Sequence, residues 1–148
     1  MVGEEILRTA VVELLAEFYD EVDDEFIRGI LAAMREPPRA LSHKSKRVFL
    51  VCRGNLTLGL LIATPKRGGA LKCSPVIVRS GERECFRSLI ENALSSFSLE
   101  FRKIYVHLPL LAHILIEGAL ELGFVPEGIL KEPYKRGVDM IVLGRILG

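Results

Sequence analysis

The spacing of apolar positions changes several times along the chain, and each change marks an element. Leu7, Val11, Leu14, Leu15 and Phe18 fall on one face of a helix over residues 4–20. Residues 4–8 taken alone also fit a short strand ahead of that helix, and both readings stand. Asp23 is a good N-cap for a second helix, with Val22 and Ile27 placed as a hydrophobic staple, and Pro37-Pro38 stops it. After the polar loop at 42–46, the strand-like runs Arg47–Cys52 and Leu56–Ala63 flank Gly54-Asn55 and predict a β-hairpin. Pro65 to Gly69 then turns the chain into a strand at 70–78. Phe86, Leu89, Ile90, Ala93, Leu94 and Phe97 follow at alternating steps of three and one, which predicts a helix over 82–97. Phe101–Leu108 reads as a strand, and Pro109 opens a helix that runs to Leu122 with Gly123 as its left-handed stop. Phe124–Leu130 and Val138–Ile146 are two last strands, joined by a polar loop that holds Tyr134, Lys135 and Arg136.

The order is therefore α-α-β-β-β-α-β-α-β-β. Hairpins combined with β-α-β crossovers predict an α/β (α+β) fold: a mixed, mostly antiparallel twisted sheet with helices on both faces. No linker or repeat divides the 148 residues, so one domain over 1–148 is expected, and 49% hydrophobic residues suffice for its core.

Composition narrows the function mainly by exclusion. A net charge of +1 without a basic block argues against nucleic acid as a partner. The most apolar run, Ile114–Phe124, is broken by Glu117 and Glu121 and is too short to span a bilayer. The N-terminus lacks the basic segment of a signal peptide, so a cytoplasmic protein is expected. Cys52, Cys73 and Cys85 form no Cys-x-x-Cys pair and have no nearby histidine, so no metal site is expected. Cys52 and Cys73 lie in apolar strand patterns, where buried free thiols are the ordinary reading. The absence of glutamine, with only two asparagines, fits a thermophile.

The stretch from 70 to 97 carries the main chemical signal. A strand that passes through Arg79-Ser80-Gly81 into a helix N-terminus presents unpaired backbone N–H groups, a shape that binds phosphates. Glu82 and Glu84 place two negative charges in that same first turn.

From about Arg47 to its C-terminus the chain resembles the GNAT superfamily of N-acetyltransferases. Leu122-Gly123-Phe124 followed by Pro126-Glu127-Gly128 is similar to that family's Leu-Gly-Phe-x-x-x-Gly ending. Val138–Arg145 is similar to its final strand, and strand 70–78 with helix 82–97 stands in the place of its acetyl-CoA segment. The resemblance implies that strands four and five of the family splay apart and that the pantetheine arm of acetyl-CoA lies in the gap. Val76, Ile77 and Val78 would then hold pantetheine, and Arg79, Ser80, Gly81, Arg83 and Glu84 would hold the pyrophosphate. Pro75, which lacks a donor in mid-strand, is the residue expected to open the gap. The chain departs from the family in four places. Glutamates stand where its phosphate loop has small residues, Gly118 or Ala119 occupies the place of its usual tyrosine acid, its usual asparagine after the fifth strand is missing, and no acidic residue lies in strand 70–78.

Several side chains therefore carry two readings each. Arg79, Arg83 and Arg87, spaced by four, suit a phosphate clamp or a surface face pairing with its own glutamates. His107, at the end of its strand and on the same face as Tyr105, suits general acid–base work or a cap on the sheet edge. Tyr134 suits the acid that protonates the CoA thiolate, or a plain turn residue. Cys85 suits a thiol near a helix start or a partly buried residue, and His43 and His113 read as structural or solvated. The acidic run Asp20 to Glu25 borders the region where the family binds its acceptor. Together these features predict an acetyl-CoA-dependent N-acyltransferase acting on a small-molecule or peptide amine. The alternative is a catalytically inactive GNAT-like binding module. The exposed final hairpin is compatible with a homodimer.

Overall fold

The computed structural model describes residues 4–35, 46–54, 56–79, 82–96 and 101–147. Pro37-Pro38, His43, Asn55, Ser80, Gly81 and Phe97 lie outside the described residues. The elements are α1 (Glu4–Phe18), α2 (Asp24–Arg35), β1 (Arg47–Arg53), β2 (Leu56–Lys66), β3 (Ala70–Val78), α3 (Arg83–Ser95), β4 (Lys103–Pro109), α4 (His113–Glu121), β5 (Val125–Lys135) and β6 (Val138–Ile146). They follow the predicted order. Residues 4–8 are helical, which settles the choice between helix and strand there. Asp23 caps α2 as expected, accepting the Phe26 N–H at 2.8 Å.

The six strands lie in the order β1-β2-β3-β4-β6-β5. Every neighbouring pair is antiparallel except β3 with β4. Successive side chains point to opposite faces of the sheet, and two cores result. On one face α3 and α4 cover Leu61, Cys73, Ile104, Val106 and Leu143, with Phe86 fully buried among them. On the other, Val11, Leu14, Leu15 and Phe18 of α1 and Ile30 of α2 cover Leu60, Ile62, Ile77 and Met140. Each such large side chain contributes roughly 1.5–3 kcal/mol when fully buried.

Pairing across the sheet overrides local sequence signals in three places. β2 runs through Pro65, which pairs with Leu71, so the turn is confined to Arg67–Gly69. The last β2 residue paired with β1 is Ala63, and a missing donor is tolerated beyond that point. Pro109 ends β4 instead of opening a helix, because it pairs with Met140 and the Leu110 N–H donates to the Asp139 carbonyl at 2.9 Å. α4 accordingly starts at His113, while Gly123 ends it in the expected left-handed conformation, with φ +90°. Tyr134 belongs to β5 and not to a loop, since that strand reaches Lys135 across a register shift and only Arg136-Gly137 turns. The Cys52 reading is also corrected: its side chain is exposed near the end of β1, while Cys73 and Cys85 are buried.

Candidate functional site at the strand fork

β3 and β4 separate partway along their length. They pair in parallel only from Ala70↔Lys103 to Cys73↔Val106. Beyond that point β3 stays on β2, through Val76↔Leu61, Ile77↔Leu60 and Val78↔Gly59, while β4 stays on β6 as far as Pro109↔Met140. The β2–β3 register shifts between Leu61 and Ala63, opposite Ser74 and Pro75. A proline at such a shift withholds a donor where the ladder would otherwise continue. Every second amide of Val76–Val78 therefore points away from β2 without a β4 partner.

A cleft of about 370 Å³ opens in this fork. Val76, Ile77 and Val78 form one wall, Pro109 and Leu111–Leu115 the other, and Glu17 and Phe18 at the end of α1 close a third side. The lining is almost wholly apolar. Leu111 is 82% and Ile114 50% exposed at its rim.

The arginines near the cleft already have carboxylate partners. Arg79 reaches Glu13 of α1 at 3.0 Å, and Arg83 forks between Glu117 and Glu121 of α4 at 2.7 Å each. Arg87 pairs with Glu91 at 2.9 Å. The partners thus lie largely on other helices, and not among Glu82 and Glu84 as the surface-face reading expected. Both of those glutamates are exposed, and Glu82 at the N-cap of α3 makes no side-chain cap hydrogen bond. Cys85 is buried, and burial followed by the Glu82 charge raises its thiol pKa, which opposes thiolate chemistry. Where the GNAT resemblance places a tyrosine, α4 packs tightly on α3. A Cβ on Gly118 would stand 3.3 Å from Arg83 Cγ and 3.4 Å from Phe86, and Ala119 is fully buried.

His107 and Tyr134 are brought together. His107, 7% exposed, lies on β4 with its Nδ1 2.5 Å from the Tyr134 hydroxyl, and the two rings stack with centroids 5.8 Å apart. Phe18 lies 4.9 Å and Tyr19 5.4 Å from the Tyr134 ring, and Tyr105 lies 5.9 Å from His107. Burial, with a smaller contribution from the Lys72 ammonium, lowers the His107 pKa to about 4, so the imidazole is neutral near pH 7. Burial likewise pushes Tyr19 up to about 12, helped by the Tyr134 phenol. The β5–β6 hairpin is tied to α1: Lys135 Nζ donates to the Ala16 carbonyl at 3.1 Å, and the Arg136 N–H donates to Asp20 Oδ2 at 2.9 Å. These ties fix Tyr134 beside Phe18, which lines the cleft, while His107 and Tyr134 are not among the residues that line it.

Three cleft residues escaped the sequence reading. His113 lines the wall at the start of α4, and Glu17 and Phe18 line it from α1. Phe18 had been legible only as a core position. Glu17 carries no local signal, because a carboxylate on the polar face of a helix reads as solvated. Among the described residues no group of His, Cys, Asp and Glu is arranged to hold a metal, and no helix is long and apolar enough to cross a membrane.

A six-stranded, mostly antiparallel sheet that forks at its one parallel pair and is covered by helices on both faces is the fold of the GNAT N-acetyltransferases. An N-acetyltransferase from Staphylococcus aureus superposes with a TM-score of 0.68 at 13% identity, over 99% of this chain and 94% of that one. An acetyl transferase from Salmonella typhimurium that modifies the N-terminal serine of a 50S ribosomal subunit protein gives 0.64 at 13% identity, over 96% and 88%. A spermidine N-acetyltransferase chimera from Vibrio cholerae and hSSAT gives 0.53 at 24% identity, over 68% and 67%. No family profile matches the chain, and no curated protein matches it by sequence.

Proposed function

We propose that the chain is an N-acetyltransferase that transfers an acetyl group from acetyl-CoA to the amine of a small molecule or peptide. The observation that carries this reading is the fork, which leaves alternate amides of Val76–Val78 without a β4 partner along an apolar cleft. Two buried polar atoms on this part of the chain, Ser74 Oγ and Arg79 Nε, have no hydrogen-bond partner, which suits a polar chain laid along β3. When bound, acetyl-CoA supplies a thioester carbonyl open to attack by an amine.

The residues divide the remaining work. Backbone N–H groups near Val76 point to where negative charge develops on the carbonyl oxygen. Val76, Ile77 and Val78 pair with the pantetheine arm as an added strand would. Arg79, Arg83 and Glu84 lie on the pyrophosphate side, and the two arginines exchange a carboxylate for a phosphate to hold it. The reaction moves one proton from the attacking amine to the leaving thiolate. We assign that transfer to the Tyr134 hydroxyl, which packs on the cleft-lining Phe18 and is oriented by its hydrogen bond to His107, in place of the tyrosine that α4 lacks. The cytoplasmic and thermophilic readings continue to rest on sequence alone. A homodimer, if formed, would use the exposed β5 edge.

Thermal unfolding with and without acetyl-CoA tests the reading. At about 100 times its dissociation constant the ligand adds about 2.7 kcal/mol of stability, and no shift at millimolar acetyl-CoA overturns the proposal. Tyr134→Phe should lower kcat roughly 100-fold and leave the shift intact. A shift without acetylation of any amine in a broad panel points instead to the inactive binding module.

A further inference from the structure

The acetyl-transfer reading leaves the acceptor open, and the cleft narrows it. Among the described residues, Glu17 is the only charged residue in the lining, and His113 is the only other polar one. Four of the carboxylates near Glu17 in the chain already have partners. Glu13 holds Arg79, Asp20 accepts from the Arg136 backbone, Asp23 caps α2, and Asp24 pairs with Arg8. Glu17 has no hydrogen bond or ion pair among the described residues. Its backbone is anchored, because the next residue, Phe18, is 4% exposed and packs against Tyr134. An exposed carboxylate at the mouth of an apolar cleft, without a hydrogen bond or ion pair among the described residues, is open to a cationic group entering from solvent.

We infer that the acceptor is a primary amine with one positive charge on an apolar body, its ammonium received by Glu17 and its apolar part lying on Phe18 and Ile77. Both side-chain contacts lie on the α1 side of the fork, which leaves the backbone of Val76–Val78, the Val76 and Val78 side chains and the α4 wall to acetyl-CoA. Among the described lining residues Glu17 is the one carboxylate, so a second or third ammonium on the same acceptor has no further carboxylate in the cleft to pair with. Polyamines are therefore poor acceptors here. The inference rests on the acetyl-transfer reading.

The test uses the full-length protein with acetyl-CoA, phenethylamine, hexylamine and spermidine, following CoA thiol release. Phenethylamine and hexylamine should show kcat/KM at least about tenfold above spermidine, as expected when one charged contact decides recognition. Glu17→Gln should raise KM for phenethylamine about tenfold with kcat nearly unchanged, and Glu17→Asp should recover part of the loss. The exposed position makes both variants foldable, and unchanged thermal unfolding checks this. A preference for spermidine, or an unchanged KM in Glu17→Gln, overturns the inference and leaves acetyl transfer standing. An absence of both acetyl-CoA binding and CoA release with every amine overturns acetyl transfer, and the inference with it.

Discussion

On the face covered by α3 and α4, Phe86, Leu89, Ile104, Val106 and Leu143 are each sealed from solvent within an apolar cluster. The α1–α2 face buries Leu14, Leu15 and Ile30 equally well, yet it also seats a hydrogen-bonded histidine and tyrosine among aromatic rings. One sheet thus carries a stabilising face and a face where stability is partly given up to hold a neutral imidazole. The fork between β3 and β4 opens onto both. If this division is right, perturbing the first face should act on folding alone, and perturbing the second should bring in pH and catalysis.

The largest expected effect belongs to the dry face. Phe86 is fully buried between α3, α4 and the sheet, and a Cβ on Gly118 would stand 3.4 Å from its ring. Phe86→Ala removes a large buried surface and leaves a cavity that the packed neighbours close only in part. The expected loss is about 3–5 kcal/mol, read from the urea midpoint. The loss should vary little between pH 4 and 7, since the buried cluster that holds Phe86 is apolar apart from the thiols of Cys73 and Cys85. A strongly pH-dependent loss would break the contrast between the faces.

On the other face the expected effect is smaller and has a sign. His107 titrates near 4 when folded, against 6.5 when exposed. Between those values the unfolded chain binds the proton and the folded chain does not, so stability rises with pH across the window. The stability is fully present above pH 6.5 and is lost as pH falls towards 4, by about 3 kcal/mol at most. Replacing the imidazole in His107→Gln removes this component, so the variant should show a shallower fall than the parent over that range. Carboxylates titrating near pH 4 contribute to both proteins and cancel in the comparison. Equal slopes would show that His107 is more solvated than its surroundings indicate.

The same contrast explains what was legible in the sequence. Helical spacing at Phe86, Leu89, Ile90 and Ala93, and alternation at Ile104 to His107, are local patterns written by a single partner surface, so the elements and their order could be read directly. Pro65, Pro109 and Tyr134 were misplaced because their conformations are set by pairing with Leu71, Met140 and the far end of β6, which no local window contains. The individual candidates His107 and Tyr134 were visible, but their 2.5 Å hydrogen bond depends on α1 and the β5–β6 hairpin meeting across the sheet. Glu17 illustrates the limit more sharply. Nothing separates it in sequence from Glu13, and only the fold places one beside an arginine and the other on the cleft.

The smallest effect on folding, and the one that best separates brace from binding site, concerns Arg83. Its guanidinium bridges α3 to Glu117 and Glu121 of α4 on the rim of the dry face, and both carboxylates are about 60% exposed. Exposed ion pairs contribute little, so Arg83→Ala should cost less than about 1 kcal/mol in the absence of ligand. Its cost to acetyl-CoA affinity should be larger, about 1.5–3 kcal/mol for one charged hydrogen-bonded contact. Titration calorimetry of the variant reads the second quantity and urea unfolding the first. If both are near zero, the arginine is a surface ornament of α3. If only stability falls, it is a brace between the helices. A loss confined to affinity means that Arg83 leaves its glutamates for phosphate, and the rim of the stabilising face then belongs to the site as well.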